Sequence, residues 1–442
     1  MPKNKDYRLL IFVFISSIGY LILGYYTSRD QSFVLFATYL SLFAAYVAAC
    51  RYVPDQHIKH FVYAAIGLRI ILLFSTPALS DDIYRFIWDG RLLANGISPF
   101  AALPIDYIKG EMVSIPGLDA TLFQFLNSPE YYTVYPPLSQ LVFWLAALLS
   151  PDNILGSIIV IRLVILIAEI GSIYLIIRLL RTFQLPAKNV LLYALNPLVI
   201  LELTGNLHFE AFVIFFLLLT VHFILLDKIV ISGISWSIAI GFKLIPLIFL
   251  PLAIRRFKLQ SQITLYSIVG IVTLLLFVPL YDQSLIDGLS SSLTLYFQKF
   301  EFNASIYYLF RSFGFWVKGY NIIGQLGPAL GLITFGSIFA YSLTKRRKSL
   351  LLPIAMMWAL LIYLALATTV HPWYITTLVA LSVFSKYRFP ILWGLLIFVT
   401  YSGYSSTGYT EPMHLIILEY VVLIGFICYE LYQNKKPINT PS

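Results

Sequence analysis

The sequence predicts an all-α integral membrane protein, a bundle of about 11–13 transmembrane or partial-span helices. Of its 442 residues, 59% are hydrophobic and only 12% are charged, and the mean hydropathy is +0.83. A soluble domain carries roughly 25% charged residues, so this chain cannot cover a water-exposed surface of that size. Apolar runs of about 17–25 residues, the length that crosses a bilayer, recur from end to end. We therefore expect residues 1–442 to form one polytopic domain in the lipid bilayer.

The distribution of basic residues predicts which loops face the cytoplasm, where Lys and Arg accumulate. The basic clusters are Lys3 to Arg8, Arg51 to Lys59, Arg178 to Lys188, Arg255 to Lys258, "KRRK" at 345–348, Lys386 to Arg388, and Lys435 with Lys436. Because these basic residues lie in predicted cytoplasmic loops, they account for the net charge of +9 without a nucleic-acid partner. The first apolar run, Leu9 to Tyr26, is too long for a signal-peptide core, so we expect it to remain as the first span.

Three apolar segments do not fit a regular span. Tyr135–Leu149 and Ser305–Trp316 are too short to cross the bilayer, and "GFKLIP" interrupts 229–253 at Lys243 as if two half-helices met there. Irregular backbone at membrane depth is tolerated only where protein or a water-filled cavity covers it. These segments therefore predict a cavity that opens to the outer face.

The stretch "SDDIYRFIWDGRLLANGISPF" begins the longest loop, 80–134, which the orientation places outside. As a helix from an N-cap at Ser80, it presents one polar stripe in which Asp81, Arg85 and Asp89 can pair. Gly96 supplies a C-terminal stop. The opposite stripe is apolar and contains Ile83, Phe86, Ile87, Gly90, Leu93 and Ala94. This pattern predicts an amphipathic helix that lies on the outer interface with its apolar side toward the lipid.

Two interpretations fit the adjacent acids Asp81 and Asp82. They can complement the helix dipole, or one of them can take a proton from an acceptor hydroxyl. If the donor is a lipid-phosphate sugar, the leaving group is already an anion, so the site needs one base and a cationic clamp for the phosphate. Lys243 and Arg85 are candidates for the clamp. The alternatives are a snorkelling lysine and an arginine paired with Asp81 or Asp89.

Further polar and aromatic residues follow at junctions that the orientation places outside. His371 in "HPWY" is a candidate phosphate ligand, and aromatic faces stack on sugars. The candidates for binding sugar or acceptor are Tyr84, Tyr135, Asn206, His208, Glu210, Asn303, Trp373 and Tyr374. Polar interhelical turns and ordinary packing are the alternatives for these residues. Arg162 and Glu169 share one helix face, and we expect them to pair with neighbours within the bundle rather than to take part in chemistry. Arg69 lies within a span and needs a partner that the sequence does not identify.

The same blocks, in order along nearly the whole chain, resemble the GT-C-fold glycosyltransferases that use polyprenyl-phosphate sugars. "SDDIYRFIWDGRLLANGISPF", "YPPLSQLVFWLA", "GFKLIP" and "HPWY" look most like the bacterial mannosyltransferase-like branch. The resemblance implies a GT-C-like bundle with interfacial helices in the first large outer loop, and a donor that is used on the extracytoplasmic face of the bacterial inner membrane. It also places the family's base on Asp81 or Asp82, and the spacing to Tyr84 favours Asp81.

The function expected from this resemblance is transfer of one mannose-like hexose from polyprenyl phosphate to a glycan, lipid or protein acceptor, with inversion. Relatives that transfer whole oligosaccharides carry a large C-terminal extracytoplasmic domain, which this sequence does not show. The candidate cofactor is a divalent cation, although no third acid converges with Asp81 and Asp82 in the sequence. The alternative is a transporter or flippase for a lipid-linked sugar, in which Arg162, Glu169 and Lys243 would line the substrate path. The sequence shows no paired halves of the kind that transporters typically carry.

Overall fold

The computed structural model describes residues 7–109, 115–254, 256–344, 352–405 and 408–434. The helices before the middle of the chain are α1 (Tyr7–Leu21), α2 (Ser32–Tyr52), α3 (Ile58–Ile71), α4 (Asp82–Ala94), α5 (Pro104–Ile108), α6 (Ala120–Phe123), α7 (Pro137–Leu149), α8 (Ile154–Thr182), α9 (Leu191–Ala194), α10 (Pro197–Val199) and α11 (Glu210–Leu225). Lys3, Lys5, Arg255, the 345–348 cluster, Lys435 and Lys436, on which the predicted orientation partly rests, lie outside the described residues.

The second half is also helical. It contains α12 (Ile229–Phe242), α13 (Leu259–Phe277), α14 (Gln283–Gln298), α15 (Ile306–Lys318), α16 (Ile323–Leu343), α17 (Leu352–Leu366), α18 (Pro372–Ser382), α19 (Phe389–Leu396) and α20 (Met413–Gln433). Strands β1 (Tyr404–Ser405) and β2 (Gly408–Tyr409) form an antiparallel hairpin, and π- or 3-10 turns at 22–26, 55–57, 187–190, 200–205, 245–253, 278–280 and 397–403 extend or join the helices.

The helices have the lengths of a multi-pass membrane protein. Within the described part of the chain, six are long and apolar enough to span a bilayer, namely Tyr7–Tyr26, Ser32–Tyr52, Ile154–Thr182, Leu259–Leu280, Ile323–Leu343 and Met413–Gln433. Pro197–Gly205 and Glu210–Leu225 make a seventh if they are counted as one broken span, bent by 112°. Shorter apolar helices, among them Pro137–Leu149 and Ile229–Phe242, accompany these spans. The predicted all-α membrane fold is confirmed.

The irregular segments predicted from the sequence form short helices and one break. The run at 135–149 forms α7, which begins at Pro137, and the run at 305–316 forms α15. At Lys243 the backbone is extended, with φ −151° and ψ 146°, between α12 and the 3-10 helix Ile245–Ala253. The predicted interruption at Lys243 is therefore present.

Helix α4 differs from its prediction in three ways. It begins at Asp82 with Asp81 at the N-cap position, and the Ser80 hydroxyl accepts a hydrogen bond from the Asp82 N–H at 3.3 Å. Asp81 does not pair with Arg85, although Arg85 does pair with Asp89 at 2.7 Å. The polar stripe is as buried as the apolar one, because α7 and the 115–134 segment cover it. The expectation that the apolar side of α4 faces the lipid was therefore wrong, because protein covers Ile83, Phe86 and Ile87. The stop at Gly96 is confirmed, with φ +73°.

Three ionisable residues within the bundle, Arg69, Arg162 and Glu169, have polar partners. Glu169 accepts a hydrogen bond from Arg69 at 2.7 Å, and both side chains are completely buried. Arg162 donates to the backbone carbonyls of Thr204 at 2.8 Å, Gly205 at 2.9 Å and Leu73 at 2.8 Å. A buried charge is costly unless such partners compensate it. The interpretation of Arg162 and Glu169 as residues that hold the bundle together fits these contacts, and Glu169 is the partner that Arg69 needed.

Gly90 brings α4 into close contact with α7. A Cβ atom added at Gly90 would lie 2.2 Å from the backbone oxygen of Phe143. We expect Gly90→Ala to destabilise the protein by about 1–3 kcal/mol, because backbone atoms must move to relieve the overlap. The measurement is thermal unfolding of the purified variant in detergent. Gly67→Ala in α3 is the matched control, since nothing lies within 4 Å of its added Cβ. Equal melting temperatures for the two variants would contradict this packing.

Candidate active site

The first acid, Asp81, lies at the surface end of the site and is held by an arginine from another loop. Arg29 Nη2, in the connection between α1 and α2, lies 2.6 Å from Asp81 Oδ2, and each side chain is 33% exposed. The Arg29 guanidinium also packs over the ring of Tyr404 in β1, 4.6 Å from its centroid. Tyr84, one turn along α4, stacks on Phe125. Asp81 is therefore both fixed by a cation and accessible from outside the protein.

The second acid, Asp82, is held from the opposite side by neutral donors. Its carboxylate accepts hydrogen bonds from Asn127 Nδ2 at 2.9 Å and from the Tyr135 hydroxyl at 3.1 Å. Burial raises the pKa of the Asp82 carboxyl, and the Asn127 bond and the Lys243 charge partly oppose this rise. Adjacent residues thus carry carboxylates in two different environments.

The start of α7 connects Asp82 to the break at Lys243. Pro136 and Pro137 fix the entry into this helix, which places Tyr135 beside Asp82. One turn later, the Ser139 hydroxyl donates to the backbone oxygen of Phe242 at 2.8 Å, immediately before Lys243. A single short helix therefore sets the distance between the acids and the lysine.

Lys243 is not the unpaired ammonium that the sequence suggested. Its Nζ lies 2.6 Å from Glu210 Oε1, with side-chain exposures of 16% and 3% respectively. The Tyr374 ring centroid lies 5.8 Å from the same Nζ. Glu210 Oε2 accepts no hydrogen bond from any described residue. Both members of the pair stand at helix breaks, Glu210 at the start of α11 and Lys243 at the end of α12, which accounts for two polar residues in apolar sequence.

The "GNLHFE" and "HPWY" motifs meet in one aromatic stack. The His208 ring lies on Trp373 at 3.7 Å between centroids, and Trp373 lies on His371 at 4.2 Å. Phe302 packs against the other side of His371 at 4.7 Å. Burial, with a smaller contribution from Lys243, lowers the pKa of His371 to about 3, so this imidazole is neutral at pH 7. It can donate a hydrogen bond to a phosphate but cannot pair with it as a cation.

Asn206 belongs to a buried network beneath the acids. Its side chain accepts from the Leu79 N–H at 3.3 Å and donates to Glu202 at 3.2 Å. Glu202 also accepts from the Tyr401 hydroxyl at 2.6 Å and lies 3.4 Å from His208 Nε2. Since Leu79 precedes the acids directly, this network fixes the backbone that presents them.

The surroundings of Arg85 and Asn303 differ from those expected of residues that bind a phosphate or a sugar. Arg85 bonds Asp89, and it also donates to the backbone oxygens of Tyr131 at 2.8 Å and Ser128 at 3.3 Å. These contacts favour the alternative of a structural pair over a phosphate ligand. Asn303 donates to Glu419 at 3.3 Å, and its N–H donates to Glu411 at 2.8 Å, so it belongs to a separate cluster against α20. The role of Asn303 in binding sugar or acceptor stays a prediction.

Sequence reasoning missed Arg29, Asn127, Glu202 and Tyr404. Arg29 carried a signal, because it is a basic residue in a loop that the positive-inside rule places outside. Glu202 carried one too, as an acid within an apolar run. Asn127 and Tyr404 carried none, since asparagine and tyrosine are ordinary in outer loops. Within the described ranges, no group of three or more His, Cys, Asp or Glu residues is arranged to hold a metal ion.

Comparison with known proteins identifies the family. A family model described as "Alpha-(1->6)-mannopyranosyltransferase, N-terminal domain" matches residues 20–257, more than half of the 442-residue chain. The chain belongs to this family. The match includes Arg29, both acids, Tyr135 and Lys243, and it ends before the "HPWY" motif. The resemblance to GT-C mannosyltransferases that the sequence suggested is thereby confirmed.

Two relatives from Corynebacterium glutamicum are distant members of the alpha-(1->6)-mannopyranosyltransferase family. Alpha-(1->6)-mannopyranosyltransferase B is 25% identical over 151 residues, which are 33% of this chain and 24% of that protein. Alpha-(1->6)-mannopyranosyltransferase A is 24% identical over 203 residues, 45% of this chain and 38% of that protein. The matched segments therefore span less than two-fifths of either relative.

Proposed function

We propose that this protein is a membrane glycosyltransferase that moves a single mannose-like hexose from a polyprenyl-phosphate donor to an extracytoplasmic acceptor. The observation that carries the proposal is the pair of adjacent carboxylates at the start of α4, where Asp81 pairs with Arg29 and Asp82 lies in the electrostatic field of Lys243. The Lys243 charge contributes to the pKa of both Asp82 and His371, so these groups share one electrostatic field. An acid beside cations and stacked aromatic rings suits transfer of a sugar from a phosphate.

The proposed reaction is a single displacement. The acceptor hydroxyl oxygen attacks the anomeric carbon of the donor, and its proton passes to a carboxylate of the enzyme. The bond between the anomeric carbon and the phosphate oxygen breaks, and polyprenyl phosphate leaves with the electron pair as an anion. Attack on the face opposite the leaving group inverts the anomeric configuration. We assign Lys243 and the neutral His371 to stabilising the departing phosphate.

We assign the base to Asp81, with Asp82 as its support. Asp81 is one-third exposed, so an acceptor can approach its carboxylate. The carboxylate of Asp82 is already occupied by the amide of Asn127 and the hydroxyl of Tyr135. Tyr84 on the same helix then provides a ring surface for a sugar.

The names of the relatives suggest the sugar and the linkage. An alpha-(1->6)-mannosyl product formed with inversion requires a β-linked mannosyl phosphate as donor. We propose a glycan, lipid or protein acceptor that carries a primary hydroxyl, and an active site on the extracytoplasmic face of a bacterial inner membrane.

The proposal is tested with the purified protein and radiolabelled polyprenyl-phosphate mannose or glucose, with a membrane extract as source of acceptor. We expect label to move from the mannosyl donor to a new product, with release of polyprenyl phosphate. Glucose transfer in place of mannose transfer would change the sugar and keep the reaction. Lipid binding or movement across a vesicle membrane without release of polyprenyl phosphate would contradict the proposal and favour the flippase alternative.

A further inference from the structure

Arg29 occupies an unusual place for a cation. It lies at 27–31, between the π-turn that follows α1 and the start of α2. The predicted orientation places this connection outside, where the positive-inside rule disfavours basic residues. The Thr27 hydroxyl donates to the Ile22 oxygen at 2.9 Å, and the Ser28 N–H donates to the Gln31 side chain at 3.3 Å. These bonds fix the backbone of the connection without using the arginine. The Arg29 side chain is therefore available for a separate role.

The contacts of Arg29 leave part of its guanidinium open. One nitrogen pairs with Asp81, the plane packs on Tyr404, and the side chain remains 33% exposed. The charged and titratable groups around this pair are Asp30 next to Arg29, Asp82 and Tyr84 on the chain of Asp81, and Tyr404 opposite. A planar guanidinium fork that is partly exposed is suited to bind a phosphate in bidentate fashion.

The pair also presents a conflict for the reaction. The Asp81 oxygen that pairs with Arg29 is occupied by that contact and is not open to the proton of an acceptor hydroxyl. If Asp81 is the base, as proposed above, it is masked whenever Arg29 is bound to it. A phosphodiester donor is an anion that can compete with Asp81 for the same guanidinium.

We propose that Arg29 is a ligand of the donor phosphate that exchanges its partner, leaving Asp81 for the phosphate when the donor binds. This inference rests on the proposed function, since it takes the donor class and the base from it. Arg29 then leaves the Asp81 carboxylate only when the donor sugar is bound. The activated donor is therefore not attacked before it is in position. After transfer, the partly exposed Asp81 releases its proton to water, and departure of polyprenyl phosphate lets Arg29 return to the Asp81 carboxylate.

A charge-neutral double variant separates this role from a merely structural ion pair. The experiment measures binding of undecaprenyl phosphate in detergent micelles to the wild-type protein, Asp81→Asn, and Arg29→Gln combined with Asp81→Asn. The double variant removes the pair without changing the net charge. We expect it to bind undecaprenyl phosphate about tenfold more weakly than wild type, the loss of about one charge-assisted hydrogen bond. Asp81→Asn should bind more tightly than wild type, because Arg29 is then free.

The control ligand is undecaprenol, which carries the same chain without the phosphate and should bind all variants equally. Arg29→Lys, which keeps the charge but not the planar fork, should bind the phosphate with intermediate affinity and covers the case in which the double variant unfolds. Equal binding of undecaprenyl phosphate by wild type and the folded double variant would overturn the exchange while leaving the proposed function intact. If wild type does not prefer the phosphate to the alcohol, the proposed donor class itself fails.

Discussion

Asp81→Asn should lower transfer by about 10²- to 10⁴-fold while leaving the melting temperature of the protein near that of wild type. Removing a general base costs a rate factor of this size, because the acceptor proton then has no destination in the transition state. The fold should tolerate the change, since the Asp81 side chain is one-third exposed and asparagine preserves its shape. The measurement is the initial rate of label transfer at saturating donor, together with thermal unfolding in detergent.

Two matched variants distinguish the role of Asp81 from the roles of the neighbouring acids Asp82 and Asp30. Asp82→Asn should lower transfer less than Asp81→Asn, because the Asp82 carboxylate already accepts bonds from Asn127 and Tyr135. Asp30→Asn changes a fully exposed acid next to Arg29 and should leave transfer unchanged. A larger loss at Asp82 than at Asp81 would move the base to Asp82. Wild-type turnover by both variants would remove the acids from the chemistry.

Features that depend on residues close in the chain were predictable from the sequence. The break at Lys243 followed from a charge and a proline within an apolar run, since neither residue tolerates the interior of a spanning helix. The short helix α7 followed from an apolar run at 135–149 that is too short to cross the bilayer. The stop at Gly96 followed from the left-handed conformation that glycine adopts at low cost.

Features that depend on packing between distant segments were not predictable. The partners of the acids, Arg29 and Tyr135, lie on other helices and loops, and no local spacing specifies them. The burial of both faces of α4 was missed because a stripe containing Arg85 and Asp89 normally indicates solvent. Here that stripe is covered because Arg85 bonds Asp89 and the backbone of residues 128–131, so its charges are satisfied inside the protein. Amphipathic spacing shows that a helix has two faces and does not show what covers each face.

Lys243→Ala should damage the protein in two separable ways. The substitution leaves Glu210 without its partner at 2.6 Å in a site where the glutamate is only 3% exposed. Breaking a buried pair by removing one member costs about 3–5 kcal/mol, because the remaining charge is uncompensated. The melting temperature should therefore fall. Use of the donor should fall as well, because the ammonium that lies in the field of Asp82 and His371 is lost.

The combination of Lys243→Ala with Glu210→Gln separates these effects. It removes the pair without leaving a buried charge, so we expect the melting temperature to recover most of its loss. Transfer should remain about 10²-fold below wild type with a raised KM for the donor and little change in the KM for the acceptor, because the phosphate has lost a preorganised cation. If the stable double variant instead transfers at the wild-type rate, Lys243 serves only to neutralise Glu210. In that case the phosphate clamp consists of Arg29 and the hydrogen bond from His371, and the broken helices α11 and α12 are joined by an ion pair for structural reasons alone.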